Sequence, residues 1–481
     1  MSRSTLPPIT GVTGGVTGLT VSYASMASFA DRCAATAELL REYAADDARL
    51  LADGDLLQSA PLSPVTFAEA EAAVAGATAG PHGLLEAAVR CEADALLVRG
   101  AVATYVESDR LAALSLEVLA HELGRAVGQA LRMSLPTLAI AGLVAVPAWQ
   151  HVSARTRARL GSQLGSQLEG WLGDHPEAVQ HLVDGEGGVL DGLLGLPPLH
   201  LGPGSADSDL ARLYPRESPP QVVRRPDLRT PLADVAPRDL PGLMRHLRQT
   251  NALSVPGRTG DQGTIEVQRL RTQGGPDRFV VYLPGTDDPR TAPWSHGHEV
   301  RDLPADLRVL AGEHAAYATG IEDAMAQAGI RPRDPVLLVG HSLGGMEAAT
   351  LLAHGSPYRV THVVTAGSPI AGVGGYPAGA HMLSLENRGD VVPLLDGRDN
   401  ADAVQHVTVQ FDEGGRSVLD GHDLRHYVHG AAAVAASRDP SIDEQLASLR
   451  AAGFVGSRAR ATSEVFQIVR NVETQTRSPP T

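Results

Sequence analysis

The stretch "DPVLLVGHSLGGMEAATLLAHG", residues 334–355, decides how the rest of the chain is read. It carries an apolar run, "PVLLV", through Gly340-His341-Ser342-Leu343-Gly344 into a helical pattern that opens on small residues. A G-x-S-x-G pentapeptide alone is a weak signal. The strand-like run before it and the helix after it give it weight. In that setting the chain turns sharply, the serine takes a strained conformation at the tip, and the flanking glycines remove side chains that would clash. The start of the helix then turns free N–H groups toward an oxyanion. Ser342 is therefore expected to be a nucleophile, with the Leu343 N–H as one oxyanion donor.

With such an elbow the acid and then the base follow the serine along the chain. "HMLSLENRGDVVPLL", 381–395, places Asp390 after a strand and a polar turn, just ahead of Val-Val-Pro. Asp396, Asp399 and Asp402 lie further on and read as solvated turn carboxylates. "GHDLRHYVHG", 421–430, holds three histidines. His422 precedes the helical "LRHYVHGAAAVAA" and suits a base reaching back to Ser342. His426, inside the helix, is the alternative base. His426 and His429 otherwise read as a pair on the helix surface. Their spacing raises a metal site, but only Asp423 joins them, so neither a metal nor any other cofactor is expected.

The second oxyanion donor should come from the loop after an earlier strand. "RFVVYLPGTDDP", 278–289, turns through Pro284-Gly285-Thr286, where Thr286 offers an N–H and a hydroxyl; a plain Pro-Gly turn is the other reading. The polar stretch behind it is long for a connection, which makes Trp294, His296 and His298 candidate substrate contacts.

Working outward, short β-rich runs alternate with helical ones from about residue 251: "TIEVQRL", "RFVVYL", a helix over 311–328, "VLLVG", a helix over 344–354, "VTHVVTAG", "AHMLSLEN", "VQHVTVQF", a helix over 424–436 and "EVFQIVR". This alternation predicts an α/β domain with a mostly parallel sheet and helices on both faces, begun by an antiparallel pair. Residues 19–130 instead read as helix, with apolar side chains at three- and four-residue spacing. Two long helices form an expected antiparallel hairpin, completed by 111–130. Its cysteines, Cys33 and Cys91, read as buried thiols or as a bridge between helices. The apolar run 133–149, with two prolines, reads as a buried helix or hairpin, with membrane contact as the alternative. The expected division is a helical domain over 1–200, a Pro/Arg-rich linker over 201–250, an α/β domain over 251–470 and a tail over 471–481.

Composition removes several classes of function. A net charge of -15 argues against a nucleic-acid partner and against docking on anionic lipid by charge. All 40 basic residues are arginine, which excludes a Ser-Lys dyad, a Schiff-base lysine and a P-loop lysine. The N-terminal "MSRSTLPPITGVTGGVTG" lacks a secretory h-region, so the expectation is a cytoplasmic protein or one exported without a signal peptide.

Together "YLPGT", "VGHSLGG", "TAGSP", "ENRGDVVP" and "GHDLRHYV", over about 260–470, resemble the lipase/esterase-like α/β-hydrolases of actinobacteria. The resemblance implies an α/β-hydrolase fold and a serine esterase with an acyl-enzyme, acting on a small-molecule or lipid ester. An "HGGG" stretch is missing, and "PGT" is nearer the lipase-like pattern in which a Thr or Ser helps the oxyanion hole. The helical part resembles the WXG-type, ESX-like modules that precede effector domains in actinobacterial type VII secretion. The one W-x-G match, Trp171-Leu172-Gly173, lies past the hairpin where that family would have it. This second resemblance implies the alternative role, an interaction or effector protein whose helical domain binds a protein partner or a membrane.

Overall fold

Apolar runs bounded by turn residues become the strands of one mixed sheet. The computed structural model describes residues 6–108, 214–254, 261–288, 297–415 and 418–471, with the single positions 121, 125, 208, 211, 212 and 291. Nine strands are found among the described residues: β1 Ile9–Gly14, β2 Pro220–Arg224, β3 Thr264–Arg271, β4 Arg278–Leu283, β5 Pro335–His341, β6 Arg359–Ala366, β7 His381–Asn387, β8 His406–Phe411 and β9 Arg460–Arg470. Their spatial order is β1-β8-β7-β6-β5-β4-β3-β9-β2. Neighbours from β4 to β8 are parallel. The outer pairs, including the expected β3–β4 pair, are antiparallel.

Both faces of the central strands are covered, which is why they read as unbroken apolar runs rather than as alternating ones. Val336 and Leu338 of β5 pack with helices Leu303–Leu310, Ala316–Gln327 and Leu343–Ala353. Leu337 and Val339 face helices Leu240–Asn251, Leu424–Ala436 and Pro440–Ala451. Three of these helices start by the same chemistry. Asp239, Asp302 and Asp439 each cap with a carboxylate, and a proline follows in the first turn, where its missing N–H costs nothing.

The sequence-based boundaries are corrected at two places. Ile9–Gly14, expected within the helical domain, pairs with β8 as an edge strand of the sheet. Its anchor is Ser441, whose hydroxyl donates to the Gly14 carbonyl at 3.0 Å and accepts the Thr17 N–H at 3.1 Å. Much of the expected linker also belongs to the sheet layers, as β2 and helix Leu240–Asn251. Six residues with few apolar side chains were too short a strand signal, and proline-rich composition masked an Asp-Leu-Pro helix start.

Residues 19–115 form a separate compact unit. Its helices are Leu19–Leu51, Gly54–Ser59, Pro64–Ala79 and 84–108. The first and last are antiparallel, as ion pairs Arg41–Glu92 and Asp31–Arg99 require. Ala30, Ala37 and Ala44 are buried on one, and Ala88 and Ala95 on the other, a seven-residue spacing that makes a narrow alanine seam. That register sets Cys33 about eight residues, or ~12 Å along the axis, from the level of Cys91. The span is too long for a disulfide. Both cysteines are free and half-buried, neither bridged nor fully enclosed. No described helix is long and apolar enough to cross a membrane. The 111–130 segment (apart from His121 and Arg125), the run 133–149 and Trp171-Leu172-Gly173 lie outside the described residues.

Candidate active site

Loops at the carboxyl ends of β4 to β8 meet where open α/β sheets carry their ligand crevice. Ser342 stands between β5 and helix Leu343–Ala353 at φ 51°, ψ −126°. Among described residues only His82 shares a positive φ without being glycine. The strain is held by bonds on both sides: Ser342 N donates to the Ala366 carbonyl at 3.1 Å, and its own carbonyl accepts from Gly345 and Met346 at 2.9 and 3.0 Å. The glycines around it are steric requirements. A Cβ at Gly344 would lie 2.1 Å from the Leu283 carbonyl oxygen, and one at Gly345 would lie 2.0 Å from Ser368 Oγ.

Asp390 and His422 come together from turns after β7 and β8. His422 Nδ1 lies 2.6 Å from Asp390 Oδ2. The same oxygen accepts the Tyr427 hydroxyl at 2.5 Å, and Oδ1 accepts the Val392 N–H at 2.9 Å. Asp390 is only 2% exposed, so these bonds replace the water it gave up. Asn387 clips the two turns together: its amide donates to the Gly414 and Gly421 carbonyls at 3.0 and 3.1 Å, and its Oδ1 accepts from Glu413 N at 3.1 Å. With Nδ1 on Asp390, His422 keeps Nε2 for another partner.

His341 connects this pair to the elbow. Its ring stacks on His422 with centroids 4.3 Å apart, and its Nε2 lies 3.0 Å from the His422 carbonyl oxygen. A carbonyl only accepts, so Nε2 of His341 carries the proton. Burial first, and the neighbouring His422 second, hold His341 well below the usual histidine range and keep it neutral.

Gly285 sits against Ser342; a Cβ there would be 2.8 Å from Ser342 Cβ and 3.1 Å from His341 Nδ1. The hydroxyl of Thr286 is not free, as the sequence suggested, but donates to the two oxygens of Asp306 at 3.0 and 2.9 Å. Its N–H is the group left for an oxyanion. Burial pushes Asp306 up to about 7, against the opposing pull of the Thr286 bond.

The other sequence candidates fall elsewhere. His426 is buried at 9% exposure rather than on the surface, and it neighbours Arg425, Glu413 and Asp420 instead of Asp390. His429 is exposed and pairs with Glu413. Asp396 is not solvated: it is buried, accepts the Ala371 N–H at 2.5 Å, and is pushed up to about 7 by that burial. His298 offers its carbonyl to Arg470 N, while Trp294 and His296 lie outside the described residues. No group of three or more His, Cys, Asp or Glu among the described residues could hold a metal ion.

Sequence reasoning missed His341, Asn387, Asp306 and Tyr427. All stand within a few residues of recognised motifs or in the Pro304 helix, yet their roles come from partners of their side chains 20 to 81 positions away along the chain. Compared with protein-family models, curated proteins and solved structures, the chain finds no match.

Proposed function

We propose that this chain is a serine hydrolase of carboxylic esters, esterase- or lipase-like, on an α/β-hydrolase-type fold. The observation that carries the reading is the strained Ser342 at a strand-to-helix turn, next in the chain to His341, whose ring stacks on a histidine held at Nδ1 by a buried carboxylate. Strain of this kind is kept where a side chain must be presented, not where a plain turn would serve.

On this reading His422 Nε2 takes the Ser342 hydroxyl proton as Oγ attacks the ester carbonyl. Asp390 holds the tautomer and balances the imidazolium that forms. The carbonyl π pair moves to oxygen, which receives the N–H groups of Leu343 and Thr286. The C–O bond to the leaving group then breaks as His422 returns the proton to the departing alcohol. Water, deprotonated by the same histidine, releases the acid and regenerates Ser342.

The test is labelling of the full chain with a fluorescent fluorophosphonate, wild type beside Ser342→Ala, followed by p-nitrophenyl esters from acetate to palmitate. Label on the wild type alone, with turnover, supports the reading. A folded wild type that neither labels nor turns over any ester defeats it.

A second reading, an interaction role for the helical unit, is favoured by the apolar side chains it leaves in solvent, among them Leu39, Tyr43, Leu96 and Leu97. Co-sedimentation of the Ser342→Ala chain with lipid vesicles checks its membrane form.

A further inference from the structure

A fully buried arginine that the proposed mechanism leaves unused stands behind the loop that carries Gly285 and Thr286. Arg301 has no exposed surface. Its Nη1 donates to the Gly285 carbonyl oxygen at 2.9 Å. Its Nη2 donates to Ser254 Oγ at 2.7 Å and pairs with the Asp287 carboxylate. The backbone of Arg301 grips the same loop: its carbonyl accepts the Asp287 and Asp288 N–H groups at 2.8 and 3.2 Å. Asp287 is fixed in turn by the Gly263 N–H, which donates to its Oδ2 at 2.9 Å.

A trans peptide turns its C=O and the next N–H in opposite directions. No cis bond occurs here among the described residues, so whatever fixes the Gly285 carbonyl also fixes the direction of the Thr286 N–H. We propose that Arg301 is a positioning residue: by holding the Gly285 carbonyl it aims the Thr286 N–H as an oxyanion donor. The inference rests on the serine-hydrolase reading. It adds a residue that touches no substrate and acts through one peptide plane. The geometry suits arginine and not lysine. One planar fork serves a carbonyl on one nitrogen and a hydroxyl with a carboxylate on the other, while an ammonium is a single point.

The experiment compares wild type, Arg301→Lys and Ser254→Ala as full chains, with active sites titrated by fluorophosphonate so that kcat is expressed per reactive serine. Arg301→Lys is expected to lower kcat per titrated site about 10- to 100-fold, with KM within twofold. Its affinity for a trifluoromethyl ketone, which forms an oxyanion on binding, should fall by the same factor as kcat/KM. Ser254→Ala removes a hydrogen bond from the same guanidinium but leaves the carbonyl contact, and should stay within about threefold of wild type. A merely structural role would reduce the titratable fraction and leave kcat per site intact; that result overturns the proposal. If Arg301→Lys does not fold, Asp287→Asn loosens the fork without removing it and should lower kcat per site about 3- to 10-fold. No change there overturns the proposal equally. A wild type that takes no label removes the hydrolase reading itself, whereas a labelled wild type with unaffected variants removes this inference alone.

Discussion

Asp390 Oδ2 holds His422 Nδ1 at 2.6 Å while accepting the Tyr427 hydroxyl at 2.5 Å, so one buried oxygen serves both an imidazole and a phenol. Burial, and the negative charge of Asp390 after it, push Tyr427 well above the usual phenol range and keep it a donor. Asp390→Asn should leave the fold intact and lower kcat by about 10³- to 10⁴-fold, because an amide stabilises neither the tautomer nor the imidazolium. Tyr427→Phe should cost less, up to about tenfold in kcat. Steady-state kinetics on the double variant gives the check: the two effects should not add, since both act through one carboxylate. Additive losses would separate Tyr427 from Asp390.

Two of the three histidines of the 421–430 stretch, His422 and His426, should behave oppositely. His422→Ala is expected to lose at least about 10³-fold in kcat, and His426→Ala to stay within about threefold. The reason is positional, since only His422 reaches Asp390. Ester turnover per titrated serine measures both, and a large loss in His426→Ala would reassign the base.

Asp306 predicts a pH effect with a definite sign. Its carboxyl titrates near 3.8 when unfolded and is pushed up to about 7 by burial in the fold. Between those values the folded chain keeps a proton that the unfolded chain gives up, so this group's contribution to stability falls as pH rises. Asp306→Asn can still accept from Thr286 but cannot ionise. Relative to wild type it should gain stability from pH 4 to pH 7, by up to about 4 kcal/mol. Urea unfolding at several pH values measures the difference; a constant offset would contradict the assignment. Comparing variant with wild type cancels the opposite trend from buried His362 and His406, lowered by burial to about 3 and about 4.

The edge strand makes truncation costly. A chain starting at residue 201 lacks β1 and leaves β8 as an unpaired, apolar edge. Its melting temperature should fall by about 10 °C or more, with aggregation. The milder Ser441→Ala, which removes the side chain bonded to Gly14 and Thr17, should cost about 1–3 kcal/mol. Thermal melts of both variants decide it, and an unshifted truncated chain would show that β1 contributes nothing.

Much of the architecture is legible in the sequence because it is local. Strand-to-helix alternation follows from periodicity, and the elbow follows from glycines that the backbone leaves no room to replace. The chain order of Ser342, Asp390 and His422 could be named without coordinates, since each stands in a turn just after a strand or just before a helix. What sequence could not supply depends on distant partners. Only the tertiary structure decided that His422, not His426, meets Asp390, because helix Leu424–Ala436 had first to be packed on the sheet. It also decided that the Thr286 hydroxyl is bound to Asp306, that Ile9–Gly14 closes the sheet edge beside β8, and that Arg301 lies behind Gly285. These are contacts between segments far apart in the chain, and no local pattern of residues encodes them.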